Sequence, residues 1–424
     1  MAFEEGCYCG ERAITLQGAS FLAKAVSRRL ALRLGLQGAA LCASPAMPAI
    51  CPPDPGSAGQ SAIEAAIKTA LSQGDIPSIS YALISCGKVF AANAYGTASP
   101  NAAASSSTLY QAASISKTLA AVGGLCAIQA NTKGCTLDSD VTAFQTSWKL
   151  PSGTTGVTLR RLLGMTAGAN VPGYPGYAQT CTSSTNCEVP TLLKILEGWP
   201  GSPAVTIDAT PGTSWVYSGG GYEIAESLIG DLMGAPYGDF VQAKVLAPLN
   251  MTSSTWGVPM PPSFQSRPAY AYVKPKAPAS TQWNAYPQLA AAGLWTTPID
   301  IAKMLIEVGN ALGGGGTVLT RPSAVAMLSP VDNFQYGLGG AVRNVGGSSL
   351  MFMKSGVNLG FTNWLAFYPN LGAGEGLVVF TNYDVGAEPG WRPKVFPPIF
   401  QAAAKAMNWP DFPGLEDSGP PVSG

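Results

Sequence analysis

The 424-residue sequence predicts a mixed α/β protein of α+β type. An antiparallel sheet built from both ends of the chain is flanked by helices, with a mostly helical region inserted over roughly residues 118–300. Three observations predict this. Strand-like text occurs in residues 78–96 and again from Phe334 onward. Between these stretches lie helical patches separated by Gly- and Pro-rich loops. Hydrophobic residues are 46% of the chain and charged residues 11%, with 50 Gly and 35 Pro, which describes a loop-rich globular protein with ample apolar material for a core.

Residues 1–58 differ from the rest and are read as an N-terminal extension. SRRLALRLGLQGAALCASPAMPA (27–49) has a basic start at Arg28 and Arg29, a moderately apolar stretch and a small-residue end. It reads as an export signal of twin-arginine flavour far from Met1, predicting a periplasmic or secreted protein. The alternatives are a disordered extension or a misassigned start. The main domain is expected over 59–410 and a tail over 411–424. Within the domain, SAIEAAIKTALSQG (61–74) reads as an amphipathic helix ended by Gly74. Residues 78–96 form a hairpin pattern turning at Cys86-Gly87-Lys88. An Ala-rich helix is expected over 108–131, then helices at 159–165, 190–198, 221–233, 239–249 and 298–312. Strands follow at 334–346, 349–356, 361–370 and 374–384, and a last helix at 396–408.

Composition removes several chemistries. The chain has no histidine, so no Ser-His-Asp or Cys-His arrangement can exist, nor a histidine-ligated metal. A nucleophilic hydrolase would have to pass its proton to lysine or tyrosine. Lys+Arg and Asp+Glu are both 24, which gives no electrostatic case for binding nucleic acid or a membrane surface. No run of eighteen apolar residues is seen, so no membrane span is expected. The nine cysteines lack zinc-site spacing; Cys126 with Cys135 and Cys181 with Cys187 are close enough in sequence for disulfides or are unpaired small residues. Neither metal nor cofactor is expected.

Ser-x-x-Lys occurs twice, and about one match is expected by chance. Ser85-Cys86-Gly87-Lys88 falls in the hairpin turn, where the two side chains have no reason to converge. Ser114-Ile115-Ser116-Lys117 opens the Ala-rich helix, where positions i and i+3 share a face and the helix dipole favours an alkoxide and a neutral amine. The structural alternative makes Ser114 a helix N-cap.

Tyr110-Gln111-Ala112-Ala113-Ser114-Ile115-Ser116-Lys117-Thr118 resembles the nucleophile segment of β-lactamases, penicillin-binding proteins and β-lactamase-like carboxylesterases. PGTSWVYSGGGYEIAE (211–226) resembles the second motif of that superfamily, a Tyr-x-Asn triplet; here it reads Tyr217-Ser218-Gly219, without the asparagine. MFMKSGVNLGFTNWLAFYP (351–369) resembles the third, with Lys354-Ser355-Gly356 on a strand where esterase-like members usually carry histidine. LRRLLGMTAGANVPGYPGY (159–177) resembles the Leu-Leu-x-His-Thr-x-Gly loop, Met165 replacing its histidine. LAAAGLWTTPIDIAKML (289–305) resembles a further segment, in which Asp300 is read as a helix cap. The resemblance covers about residues 60–410 and implies a β-lactamase/transpeptidase-like fold, with the site between sheet and helical subdomain.

It also implies roles. Ser114 attacks a carbonyl to form an acyl-enzyme, Lys117 activates it, and Tyr217 relays the proton to the leaving group. Lys354 favours substrates with a carboxylate near the scissile bond, Ser355 lines the same strand, and Gly356 lets the backbone approach the substrate. The amides of Ser114 and Val357 form the oxyanion hole. The first functional reading is a carboxylesterase-like serine hydrolase of small esters, with acyl-transferase or amidase side activity. The second is a β-lactamase or D-alanyl carboxypeptidase, and the third a non-catalytic penicillin-recognising binding module. Trp199, Trp215, Trp283 and Trp295 are candidates for pocket walls or ordinary core.

Overall fold

The computed structural model describes residues 56–74, 76–178, 189–274, 277–279, 282–383 and 392–410. The export-signal reading, the Cys181–Cys187 pair and the tail from 411 lie outside the described residues.

Helix α1 (Gly56–Gly74) leads into strand β1 (Ser78–Ser85) and strand β2 (Lys88–Ser99). Their turn holds both Cys86 and Gly87 in the left-handed region, φ 53° and 66°, as a two-residue turn matched to strand twist requires. After β3 (Ala102–Ala103) and β4 (Tyr110–Gln111) comes a 3₁₀ turn, Ala113–Ile115, and then helix α2 (Ser116–Ala130). The helical insertion contains α3 (Leu159–Leu163), α4 (Leu192–Glu197), α5 (Gly220–Met233) and α6 (Tyr237–Val241), which widens to a π turn over Gln242–Leu246. Short strands join its loops: β5 (Tyr177–Ala178), β6 (Thr255–Trp256), β7 (Tyr272–Lys274), β8 (Ala277–Pro278), β9 (Asn284–Ala285) and β10 (Leu294–Thr296). Helices α7 (Pro298–Leu312) and α8 (Arg321–Met327) return the chain to strands β11 (Ala341–Asn344), β12 (Leu350–Asn358), β13 (Phe361–Tyr368) and β14 (Glu375–Thr381), and helix α9 (Arg392–Met407) follows.

The main sheet has seven strands in the order β11-β12-β13-β14-β1-β2-β3, antiparallel throughout. Pairing of β1 with β14 joins the two ends of the chain, as the sequence pattern predicts. Strands β1, β13 and β14 are buried at every residue, so helices cover both faces. On β13, Trp364 packs on Phe396 of α9 at 5.6 Å between rings. Three residues later, on the opposite face, Phe367 lies beside Gly309 of α7, where an added Cβ would stand 3.2 Å from its Cζ. Each fully buried large apolar side chain in these layers contributes roughly 1.5–3 kcal/mol.

Three expectations need correction. The predicted helix over 108–131 starts only at Ser116: Tyr110 and Gln111 pair with β10, and Ala113 takes φ 50°, which no right-handed helix permits. Residues 334–346 form a strand only over Ala341–Asn344. Thr297, not Asp300, caps α7; buried Asp300 accepts hydrogen bonds from Ser253 N (2.7 Å), Ser254 Oγ (3.0 Å) and Lys303 Nζ (2.8 Å), tying down the 253–254 loop. Ala113–Ala130 is long and apolar enough to cross a membrane, with a mean hydropathy of 1.2, but 78% of it is buried inside the protein as a core helix. Cys126 and Cys135 are free buried thiols, whereas Cys86 is disulfide-bonded.

Candidate active site

Ser114 stands in the 3₁₀ turn between β4 and α2, and links to β10, β13 and β12 hold that stretch of chain in place. The Ala112 amide donates to Leu294 O at 2.8 Å. Asn363, opposite Gly356 in the β12–β13 register, donates to Gln111 O at 2.7 Å. Asn358 donates to Gln111 Oε1 at 2.8 Å and to Ala292 O at 3.3 Å. The approach is so close that a Cβ on Gly356 would lie 3.0 Å from Ser114 N and 3.1 Å from Ile115 N. Ala113, the non-glycine residue immediately before Ser114, is held left-handed, a conformation that costs of order 1–3 kcal/mol and persists only where its surroundings enforce it.

Ser114 Oγ accepts hydrogen bonds from Lys117 Nζ (3.1 Å) and from Tyr217 OH (2.7 Å). It does not cap α2, whose first turn has no side-chain cap. Lys117 is 2% exposed and also donates to Ala291 O at 2.8 Å. Its Nζ lies 5.2 Å from the Tyr217 ring centre and 5.5 Å from that of Tyr222. Burial lowers the Lys117 pKa below the ordinary 10.5, the Lys354 charge lowers it further, and Tyr217 and Glu223 oppose the shift. An amine in this setting is available as a neutral base. Lys354, 1% exposed, places its Nζ 5.1 Å from the Tyr217 ring centre. Ser355, Gly356 and Val357 follow it along β12.

Tyr217 sits just ahead of α5, in a segment pinned by the loop after α3. Val216 N donates to Met165 O (2.9 Å) and Ser218 N to Met165 Sδ (3.1 Å), so the residue in the place of the family's histidine anchors the tyrosine segment through its sulfur. Gly219 and Gly220 amides both donate to Val171 O. Where the asparagine is missing, Tyr174 fills the space: its Cε2 would stand 3.1 Å from a Cβ on Gly219.

Ser114, Lys117, Tyr217 and Lys354 thus come together, with Lys117 and Tyr217 bonded to the serine hydroxyl and Lys354 beside the tyrosine ring. Ser85 and Lys88 do not; Ser85 Oγ donates to Glu375 Oε1 and Lys88 is exposed. Of the tryptophans, Trp215 packs beside Tyr217 at 6.3 Å. Trp283 and Trp295 pack on one another at 5.3 Å, and Trp199 lies under Lys194 at 4.6 Å. Sequence reasoning missed Glu223 and Glu226, both buried on α5. The available signal was two glutamates three apart on an otherwise apolar helical face. Burial raises both carboxyls, Glu223 well above and Glu226 to about 8; Glu226 accepts from Ala290 N at 2.8 Å. Among the described residues no cluster of three His, Cys, Asp or Glu could hold a metal.

A family model described as Beta-lactamase matches residues 63–393. Among solved structures, the chain is similar to the octameric penicillin-binding protein homologue from Pyrococcus abyssi, with a TM-score of 0.63 and 20% identity over 83% of this chain and 78% of that one. It is equally similar to the D-amino acid amidase from Ochrobactrum anthropi SV3 complexed with L-phenylalanine amide, with a TM-score of 0.63 and 21% identity over 82% of this chain and 99% of that one. At these identities the likeness establishes the fold. No curated protein sequence matches.

Proposed function

The chain belongs to the β-lactamase family of serine hydrolases, and from that premise we propose that it hydrolyses small carboxylic esters through an acyl-enzyme on Ser114. One observation carries the reading: a partly exposed serine hydroxyl bonded at once to a buried lysine and to a tyrosine. The serine oxygen attacks the substrate carbonyl while its proton passes to Lys117. Tyr217 then delivers a proton to the departing alcohol, and water releases the acyl group by the reverse relay. The amides of Ser114 and Val357 would hold the oxyanion, a role supported by the close approach of Gly356 to the nucleophile turn.

The second reading, cleavage of amides or β-lactams, is favoured by buried Lys354 beside Tyr217, a cation suited to a substrate carboxylate, and by the similarity to an amidase. Export to an oxidising compartment is proposed from the 27–49 pattern and is supported by the disulfide at Cys86. The deciding experiment compares a short-chain nitrophenyl ester with a chromogenic cephalosporin, using wild type and Ser114→Ala. Ester turnover that disappears in the variant is expected. Full activity in Ser114→Ala would overturn the nucleophile, and faster cephalosporin turnover would exchange the two readings.

A further inference from the structure

Beside the reacting pair, six polar side-chain atoms are buried without a hydrogen-bond partner among the described residues: both oxygens of Glu223, the hydroxyls of Tyr174 and Tyr177, and Oε1 and Nε2 of Gln288. Glu223 and Gln288 are themselves fully buried. The four side chains neighbour one another. The Glu223 charge reaches both tyrosines, Tyr177 acts on Tyr174, Gln288 lies close enough to lower the Tyr177 pKa, and the Ala291 amide lies close enough to lower that of Glu223. Native interiors leave few polar atoms unsatisfied, and a group of six in one place points to a missing partner.

The cluster lies next to the proposed catalytic side chains. Tyr174 stands against Gly219, two residues beyond Tyr217, in the space that an asparagine side chain would need. Glu223 lies on the first turn of α5, next to Tyr222, whose ring is 5.5 Å from Lys117 Nζ. Every member can accept a hydrogen bond: the carboxylate, the two phenol oxygens and the amide oxygen. A primary ammonium, with three N–H donors and a positive charge for a buried carboxyl, complements that set.

We propose that the site takes amino-acid esters or amides, whose ammonium group is held by Glu223 with Tyr174, Tyr177 and Gln288. This names the substrate class of the proposed hydrolase and rests on Ser114 being its nucleophile. Burial and the neighbouring Glu226 favour the neutral Glu223 carboxyl in the free protein, so the bound ammonium draws it into the ionised form that serves as counter-charge, and the other three side chains share the remaining two N–H groups. Gly219 is part of the device, because a side chain there would displace Tyr174.

The test measures kcat/KM for the nitrophenyl ester of phenylalanine against that of 3-phenylpropionate, which lacks only the amine, in wild type, Glu223→Gln and Tyr174→Phe. Wild type should prefer the amine-bearing ester by about tenfold or more, and Glu223→Gln should reduce that ratio about tenfold, with a smaller reduction in Tyr174→Phe. No preference in wild type would mean that the cluster holds ordered water only and would overturn the proposal. So would a ratio unmoved in both variants, as a purely structural role predicts. Should Glu223→Gln fail to fold, the Tyr174→Phe ratio decides. Wild-type turnover retained in Ser114→Ala would instead sink the hydrolase reading, so the two failures are separable.

Discussion

The same four-residue pattern, Ser-x-x-Lys, occurs at 85–88 and at 114–117, and the two copies have opposite fates. In the first, Ser85 ends β1 and Lys88 begins β2, directly opposite one another across a two-residue turn. Ser85 Oγ donates to Glu375 at 3.2 Å, the Cys86 amide donates to the same oxygen at 2.8 Å, and the lysine points to solvent. In the second, a 3₁₀ turn running into a helix brings the side chains to 3.1 Å, and the surrounding elements bury the amine. The motif therefore carries no chemistry of its own. Backbone conformation makes the pair converge, and burial makes the amine a base.

The largest effect should separate the two lysines. Lys117→Ala should lower kcat/KM by about 10²–10⁴, the usual contribution of a general base, while Lys88→Ala leaves it unchanged. Comparable losses in steady-state assays of both variants would erase the distinction.

The glycines beside each copy give the next test. Gly356→Ala drives a methyl into the backbone at Ser114 and Ile115. A displacement of that kind costs on the order of 10² in kcat/KM. Gly87→Ala forces alanine into a left-handed turn, with its Cβ 2.8 Å from Ala373 O. It should lose about 1–2 kcal/mol of stability by denaturant titration with activity kept. An active Gly356→Ala enzyme would show that the strand does not fix the nucleophile.

The smallest effect concerns Glu375, the partner of Ser85. Burial raises its carboxyl above the ordinary 4.5, although Cys86, Trp409 and Ser85 donate to it. The folded protein therefore binds more protons than the unfolded chain just above pH 4.5, and this group's contribution to stability falls as pH rises through that window. Glu375→Gln should flatten that part of the profile of Tm against pH. A profile identical to wild type would refute the assignment.

Much of the site was legible because its residues are local or ordered along the chain. Absence of histidine left lysine and tyrosine as proton carriers, and Ser114, Lys117, Tyr217 and Lys354 stood in family order. The hairpin turn at Cys86-Gly87 and the helix over 298–312 were readable from turn chemistry and periodicity. The start of α2 was not, because the Ala-rich text favours helix from 108 onward and only pairing with β10 and the left-handed Ala113 stop it. Glu223 and Glu226 were missed for a related reason: a glutamate in a helix ordinarily faces water, and only packing against the 290–291 segment and the tyrosine loop buries them.

The sequence by itself determined the composition of the chemistry: no histidine, a serine and a lysine at a spacing a helical turn can close, and a tyrosine and a second lysine in order. It also determined that strands from the two ends would flank a helical insertion, since hydrophobic period and turn residues are local properties. The tertiary structure decided which Ser-x-x-Lys converges, that Met165 sulfur anchors the tyrosine segment, and that Tyr174 occupies the space left by Gly219. Those outcomes depend on distances between segments far apart in the chain. Burial, which shifts the Lys117 amine and the Glu223 carboxyl, exists only once the elements have packed.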